Sequence, residues 1–260
     1  MTRPVFALAL RLRLRSTASA SVGLVAVLLI VGALFPAVGH SFSTFHLPTG
    51  VSDLLGGADY GTVTGWYRAE IASFYGPLLV SLVAITGAVS STAGEEESGI
   101  LALLLAQPLR RSRYVVAKAA AVAVAVLIVG VAAWIGLIAG VALAHGGISV
   151  AHLGAYALHL AFFGLAIGAI ALALGAATGR PGTASGVAAA VALVGWLING
   201  FAPLAHSIDW LKYLSPFYYY AGSDPLAHGV DKVHLAVLGL VALALTAAAA
   251  AVLERRDIRV

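Results

Sequence analysis

Six stretches of this sequence, at about 18–38, 71–93, 114–144, 152–178, 183–205 and 233–253, are each long and apolar enough to cross a bilayer as a helix. A crossing takes about 20 predominantly apolar residues. Backbone polar groups inside a hydrocarbon layer must be satisfied within the segment, so such stretches become helices and not open strands. The fold class expected is all-α: a polytopic membrane protein with six transmembrane helices. Composition agrees, because 61% of the 260 residues are hydrophobic and only 10% are charged. A soluble domain is about 45–50% apolar and roughly 25% charged. No linker of different composition divides the chain, so residues 1–260 read as one transmembrane domain. Cysteine is absent, which excludes disulfides, zinc–thiolate sites and a cysteine nucleophile. The first stretch is too long for a signal peptide and lacks a small-residue cleavage context, so it is expected to remain as a helix.

The basic residues orient the bundle. Arg3, Arg11, Arg13, Arg15, Arg110, Arg111, Arg113, Lys118, Arg180, Arg255, Arg256 and Arg259 fall on one side, against Arg68, Lys212 and Lys232 on the other. By the positive-inside bias the first side is cytoplasmic, and with it both termini. The formal charge of +4 is therefore a topology signal. Nucleic-acid binding would need a basic stripe interleaved with aromatics, which the sequence does not contain.

Within the spans, Gly136 and Gly140, and Gly164 and Gly168, are small residues four apart that allow close helix approach, either inside the chain or at a dimer contact. Trp66, Tyr67, Trp210, Tyr213 and Tyr218 to Tyr220 are expected at the outer boundary, where amphipathic rings sit. The third stretch exceeds a straight crossing, which implies tilt or projection into the cytoplasm.

Between the second and third spans lies an ordered cytoplasmic segment. Glu95, Glu96 and Glu97 open it, Ile100 to Ala106 form an apolar run, Pro108 stops the run, and Arg110, Arg111 and Arg113 close it. Acids before a helix and bases after it complement the helix dipole. Thr92 and Glu95 have capping-box spacing. A short helix near the membrane surface is expected, with Leu101, Leu104 and Leu105 available to a partner or to the lipid interface.

Glu95-x-x-x-Gly99, then Leu104-Leu105-x-x-Pro108-x-x-Arg111 and Lys118, resembles the signature of ABC-2-type transporter permeases. So does Tyr213-Leu-Ser-Pro-Phe-Tyr-Tyr-Tyr220 followed by Pro225-Leu-x-x-Gly229, which is similar to that family's outer segment before the last helix. Ile100 and Ala117 depart from it, standing where Thr and Gly are commoner. The resemblance implies the membrane subunit of an ABC exporter, multi-pass in the cell membrane, with a short coupling helix between helices 2 and 3. It implies two copies of a separate ATPase, which would hold ATP and magnesium, and a second permease copy in a homo- or heterodimer. Glu95, Gly99, Leu104, Pro108, Arg111 and Lys118 would shape and dock the coupling segment. Residues 4–17 occupy the place of the family's interfacial elbow, although Arg11, Arg13 and Arg15 alternate and spoil a clean helical face.

Chemistry of the chain's own is scarce. No G-x-x-x-x-G-K-[ST] loop occurs, so ATP would not be bound here by a P-loop, and no cofactor is expected on this chain. The spans hold almost no ionisable groups, unlike ion-coupled carriers. Asn199 is expected to hydrogen-bond between helices in preference to contacting cargo. The eight histidines have no pair spaced three or four apart, so no metal site is expected. Ser185, in Thr183-Ala-Ser-Gly186, is the one nucleophile weighed for an intramembrane serine protease, with His206 or His234 as its base. A non-transporting membrane scaffold is the other alternative. An amphipathic or hydrophobic small molecule, moved among membrane lipids, is the cargo expected.

Overall fold

The computed structural model describes residues 2–42, 59–106, 109–201 and 209–257. Among them there is no strand. The helices are α1 (Thr2–Phe42), α2 (Val63–Tyr67), α3 (Gly76–Ser90), α4 (Ala93–Glu97), α5 (Ile100–Leu105), α6 (Arg111–Leu143), α7 (Val150–Thr178), α8 (Pro181–Phe201), α9 (Pro216–Ala221), α10 (Pro225–His228) and α11 (Lys232–Arg255). Six helical stretches among the described residues are long and apolar enough to span: α1, the continuous column Val63–Glu97, α6, α7, α8 and α11. The protein is an all-α polytopic membrane protein.

The bundle is built around α7. Within the most apolar window of each span, 67% of α7 is buried by protein, against 22% for α8 and 17% for α11. Helix α7 packs on α3, α6, α8 and α11, while α1 lies along α6. Lipid tails are as apolar as leucine, so burial alone does not drive this association; close fit of small residues does. A methyl added at Gly164 would stand 2.6 Å from Val80 Cγ2, and one at Gly136 would stand 2.8 Å from Leu28 Cδ1. Gly140 lies directly under Tyr67, whose hydroxyl donates to the Leu28 carbonyl at 3.1 Å. These glycines pack helices of one chain against each other. Helix α6, at 33 residues, is about 50 Å long, well beyond the roughly 30 Å hydrocarbon core.

Two sequence expectations change here. No separate elbow precedes the first span, because residues 4–17 are the opening turns of a single helix, α1. The outer aromatics divide into two groups. Trp210 and Tyr213 are exposed, but Trp66, Tyr67 and Tyr220 are buried and bonded to backbone carbonyls of neighbouring segments. Buried N–H and O–H groups need partners in a low-dielectric interior, and free helix carbonyls supply them.

The second span carries a π-helical stretch, Arg68–Tyr75, between α2 and α3. Its wider turn leaves Ile71 bonded by the N–H of Gly76, five residues on. Tyrosines fill the remaining demand: the Tyr220 hydroxyl contacts the Ala72 carbonyl at 3.1 Å and the Tyr156 hydroxyl at 2.8 Å, and Tyr156 reaches Ile71 O at 3.4 Å. Arg68 pairs with Asp224 beside it. Further along the same end, Asp231 caps α11 by accepting from the N–H groups of Val233 and His234 at 2.9 and 3.0 Å.

Candidate functional site

At the opposite end of the bundle, where α1 and α6 begin and α7 and α11 finish, the charged residues converge. Five-residue α4 follows α3 after a sharp break at Thr92 (φ −124°, ψ −86°). Consecutive residues on a helix are about 100° apart, so its three glutamates point in three directions. Glu95 faces α6, Glu96 faces the ends of α7 and α11, and Glu97 is exposed.

Glu95 is held on both oxygens. One pairs with the Lys118 ammonium; the other lies 2.7 Å from the Tyr114 hydroxyl, which also sits 2.5 Å from the Ser91 carbonyl. Lys118 is 2% exposed, and its Nζ stands 5.3 Å from the centre of the Tyr114 ring. A lysine so deeply buried is tolerated only with a partner, and Glu95 is that partner. The capping box expected for Thr92 and Glu95 does not form. The Thr92 hydroxyl donates to Ala88 O at 3.0 Å, and the ion pair claims the Glu95 carboxylate instead.

Glu96 pairs with Arg256, beyond the end of α11, over the C-cap of α7 at Gly179. Gly179 has φ +61°, and a Cβ there would meet a Glu96 carboxylate oxygen at 2.6 Å and Arg256 at 2.7 Å. Both the left-handed backbone and the space demand glycine. Arg111 completes the set from α6, its Nη1 donating to the carbonyls of Arg256 at 2.7 Å and Leu253 at 3.2 Å, which closes the C-terminus of α11. Two ion pairs thus fasten α4 to α6 and to the end of α11, and the Arg111 cap ties α6 to α11.

Gly99 joins α4 to α5 with φ +73° and nothing within 4 Å of the position a Cβ would take, so conformation alone requires glycine there. The faces of α5 differ from the expectation. Leu101 is buried and Leu104 half-buried against the core, whereas Ile100 is 47% and Leu103 74% exposed. The apolar surface offered to a neighbour is therefore that of Ile100 and Leu103, not Leu101. Pro108 and the Leu105 side chain lie outside the described residues.

Of the residues expected at the site, Glu95 and Lys118 are in direct contact, Arg111 caps the end of α11, and Gly99 makes the left-handed turn between α4 and α5. Sequence reasoning missed Tyr114, Glu96, Gly179, Arg256 and Arg13. Tyr114 was legible as the residue one turn before Lys118 on the same helix face. Arg13, half-buried in α1, donates from Nη2 to Gly87 O at 2.5 Å.

The other candidates stand apart from this cluster. Ser185 donates to Pro181 O at 2.8 Å within its own helix, near the ionic end, whereas His234 opens α11 at the opposite end; His206 lies outside the described residues. Asn199 is half-buried with no hydrogen-bond partner among the described residues, so the interhelical bond expected of it is not made to them. His159 is fully buried, its Nδ1 2.8 Å from Ala155 O, and His152 Nδ1 lies 3.1 Å from Leu226 O. The described residues contain no group of three or more His, Asp or Glu that could hold a metal.

Residues 3–253 match the family described as "Multidrug efflux system permease Rv1217c, C-terminal domain". No curated protein matches the chain.

Proposed function

The chain belongs to the family of the multidrug efflux system permease Rv1217c, C-terminal domain, and we propose that it is the permease subunit of an ATP-binding cassette exporter of the ABC-2 type. A separate ATPase, in two copies, supplies ATP hydrolysis, and a second permease copy completes the translocation unit. The cargo is an amphipathic or hydrophobic small molecule. Both termini and residues 94–118 face the cytoplasm, and the bundle resides in the cell membrane. The bias of basic residues to the ionic end supports that orientation.

One observation carries the reading: α5 presents exposed Ile100 and Leu103 on a segment fastened to α6 and α11 by buried ion pairs. An apolar knob on a rigid mount is what a docking element requires, since force applied to it passes to the spans and is not dissipated in a loose loop. The Glu95–Lys118 pair belongs to the mount and Leu103 to the contact.

The test is association with an ABC-type P-loop ATPase co-expressed with the chain. Leu103→Arg, at an exposed position, should leave expression and thermal midpoint unchanged while lowering ATPase capture and permease-stimulated hydrolysis at least tenfold. Capture and stimulation at wild-type levels would place the docking contact elsewhere.

A further inference from the structure

A cleft of about 730 Å³ opens between α1, α3 and α6 beside the ionic cluster. Its inner wall carries Arg13, Glu95 and Lys118, and it continues along the apolar side chains of Leu12, Leu82 and Val122. Arg13 is the informative group. Its Nη2 is satisfied by the Gly87 carbonyl, but Nε and Nη1 are buried with no hydrogen-bond partner. Buried donors of a guanidinium that cannot lose its proton call for acceptors. Glu95 does not supply them: its oxygens meet Lys118 and the Tyr114 hydroxyl, and it makes no bond to Arg13. The three charged groups of the cleft leave one positive charge in surplus.

We propose that this cleft binds an anionic amphiphile, its phosphate or carboxylate head at the Arg13 guanidinium and its hydrocarbon along Leu12, Leu82 and Val122. Unpartnered guanidinium donors favour an oxyanion headgroup, because hydrogen bonds between ionised groups are the strong ones. The adjoining wall is apolar and open to one side, as Leu12 and Leu82 are 71% and 57% exposed. A small inorganic anion would satisfy the arginine and leave that wall uncovered; a zwitterionic lipid would bring a cation with its phosphate. An anionic lipid covers both features. The site goes beyond the transport reading and holds whether or not the chain docks an ATPase.

Native mass spectrometry and thermal unfolding of the purified full chain in non-ionic detergent test it, with phosphatidylglycerol, phosphatidylcholine and inorganic phosphate as separate probes. Phosphatidylglycerol should bind and raise the midpoint, and the other two should do neither. Arg13→Gln should weaken phosphatidylglycerol binding roughly tenfold to a hundredfold, the range of one or two charge-assisted bonds. Arg15→Gln removes the same charge from an exposed position two residues away and should stay within twofold of wild type. Thr86→Trp narrows the cleft while sparing the guanidinium and should lower binding as well, which keeps the test valid if Arg13→Gln does not fold. Equal binding of phosphatidylcholine, a midpoint shift from inorganic phosphate alone, or Arg13→Gln or Thr86→Trp binding like wild type would each overturn the assignment.

Discussion

Breaking the Glu95–Lys118 pair from either side should cost different amounts, and the difference follows from what each partner has left. Lys118 is 2% exposed and its ammonium has Glu95 as its ionic partner, whereas the Glu95 side chain is 13% exposed and keeps the Tyr114 hydroxyl at 2.7 Å. Glu95→Gln leaves a buried ammonium facing an amide, and stranding a buried charge costs about 3–5 kcal/mol. The amide oxygen softens this, so about 3 kcal/mol is expected. Lys118→Met keeps the stem and removes the charge; the carboxylate retains a hydroxyl donor and partial access to water, for a cost of about 1–2 kcal/mol. The double variant no longer strands the Lys118 ammonium and should also lose about 1–2 kcal/mol, because an apolar replacement of a buried pair is close to neutral. The coupling energy is then about 2–4 kcal/mol. Unfolding in mixed micelles of non-ionic detergent and dodecyl sulfate, followed through the four tryptophans, measures all three variants. Costs that add within about 0.5 kcal/mol would refute a direct pair. Lys118→Met proving worse than Glu95→Gln would refute the asymmetry.

Three further outcomes can be checked on the same protein. Gly99→Ala meets no atom and should lose only the left-handed penalty, about 1–2 kcal/mol; Gly179→Ala adds a clash with Glu96 and Arg256 and should lower the thermal midpoint more. Tyr220→Phe deprives Ala72 O of its donor and should cost about 1–3 kcal/mol, seen as faster amide exchange confined to residues 68–76. Asp231 is held below the usual aspartate range chiefly by the N–H of His234; burial opposes this, and the nearby His234 ring and the N–H of Val233 add to the lowering. A lowered folded pKa gives stability that is complete above the unfolded value of about 3.9 and is lost as pH falls through the folded value. Acid should therefore fray the first turn of α11 in wild type, while Asp231→Asn, which still caps, should show no such step in exchange at 232–236.

The spans were readable from sequence because bilayer thickness fixes a length and hydropathy marks it. Helix phase was not readable where the sequence is apolar all round. Residues 100–105 are all Ile, Leu or Ala, so nothing in them says that Leu101 turns inward and Leu103 outward. The pairing of Glu96 with Arg256 is hidden for another reason: 160 residues separate them, and only the packing of α7 against α11 brings them together. Arg13 is the opposite case. Arg11 and Arg15 are four apart and share the exposed face of α1, which leaves Arg13, about 200° away, to face the bundle. Read as alternation the three arginines spoil an amphipathic helix; read by helical phase they single one out.

Charge reversal at Glu95 or Arg111 is the experiment the sequence motif suggests, because both residues belong to it. In the folded chain neither is free to be a contact alone. Glu95 neutralises a buried lysine, and Arg111 closes the C-terminus of α11. Glu95→Lys would set two ammonium groups together in a low-dielectric site, a loss of several kcal/mol that unfolds the ionic end before any partner is tested. Loss of ATPase association in such a variant would say nothing about contact. Leu103 carries no such burden: it is 74% exposed and makes no bond. A defect confined to Leu103→Arg reports docking, and one confined to Glu95→Gln, rescued by adding Lys118→Met, reports the mount.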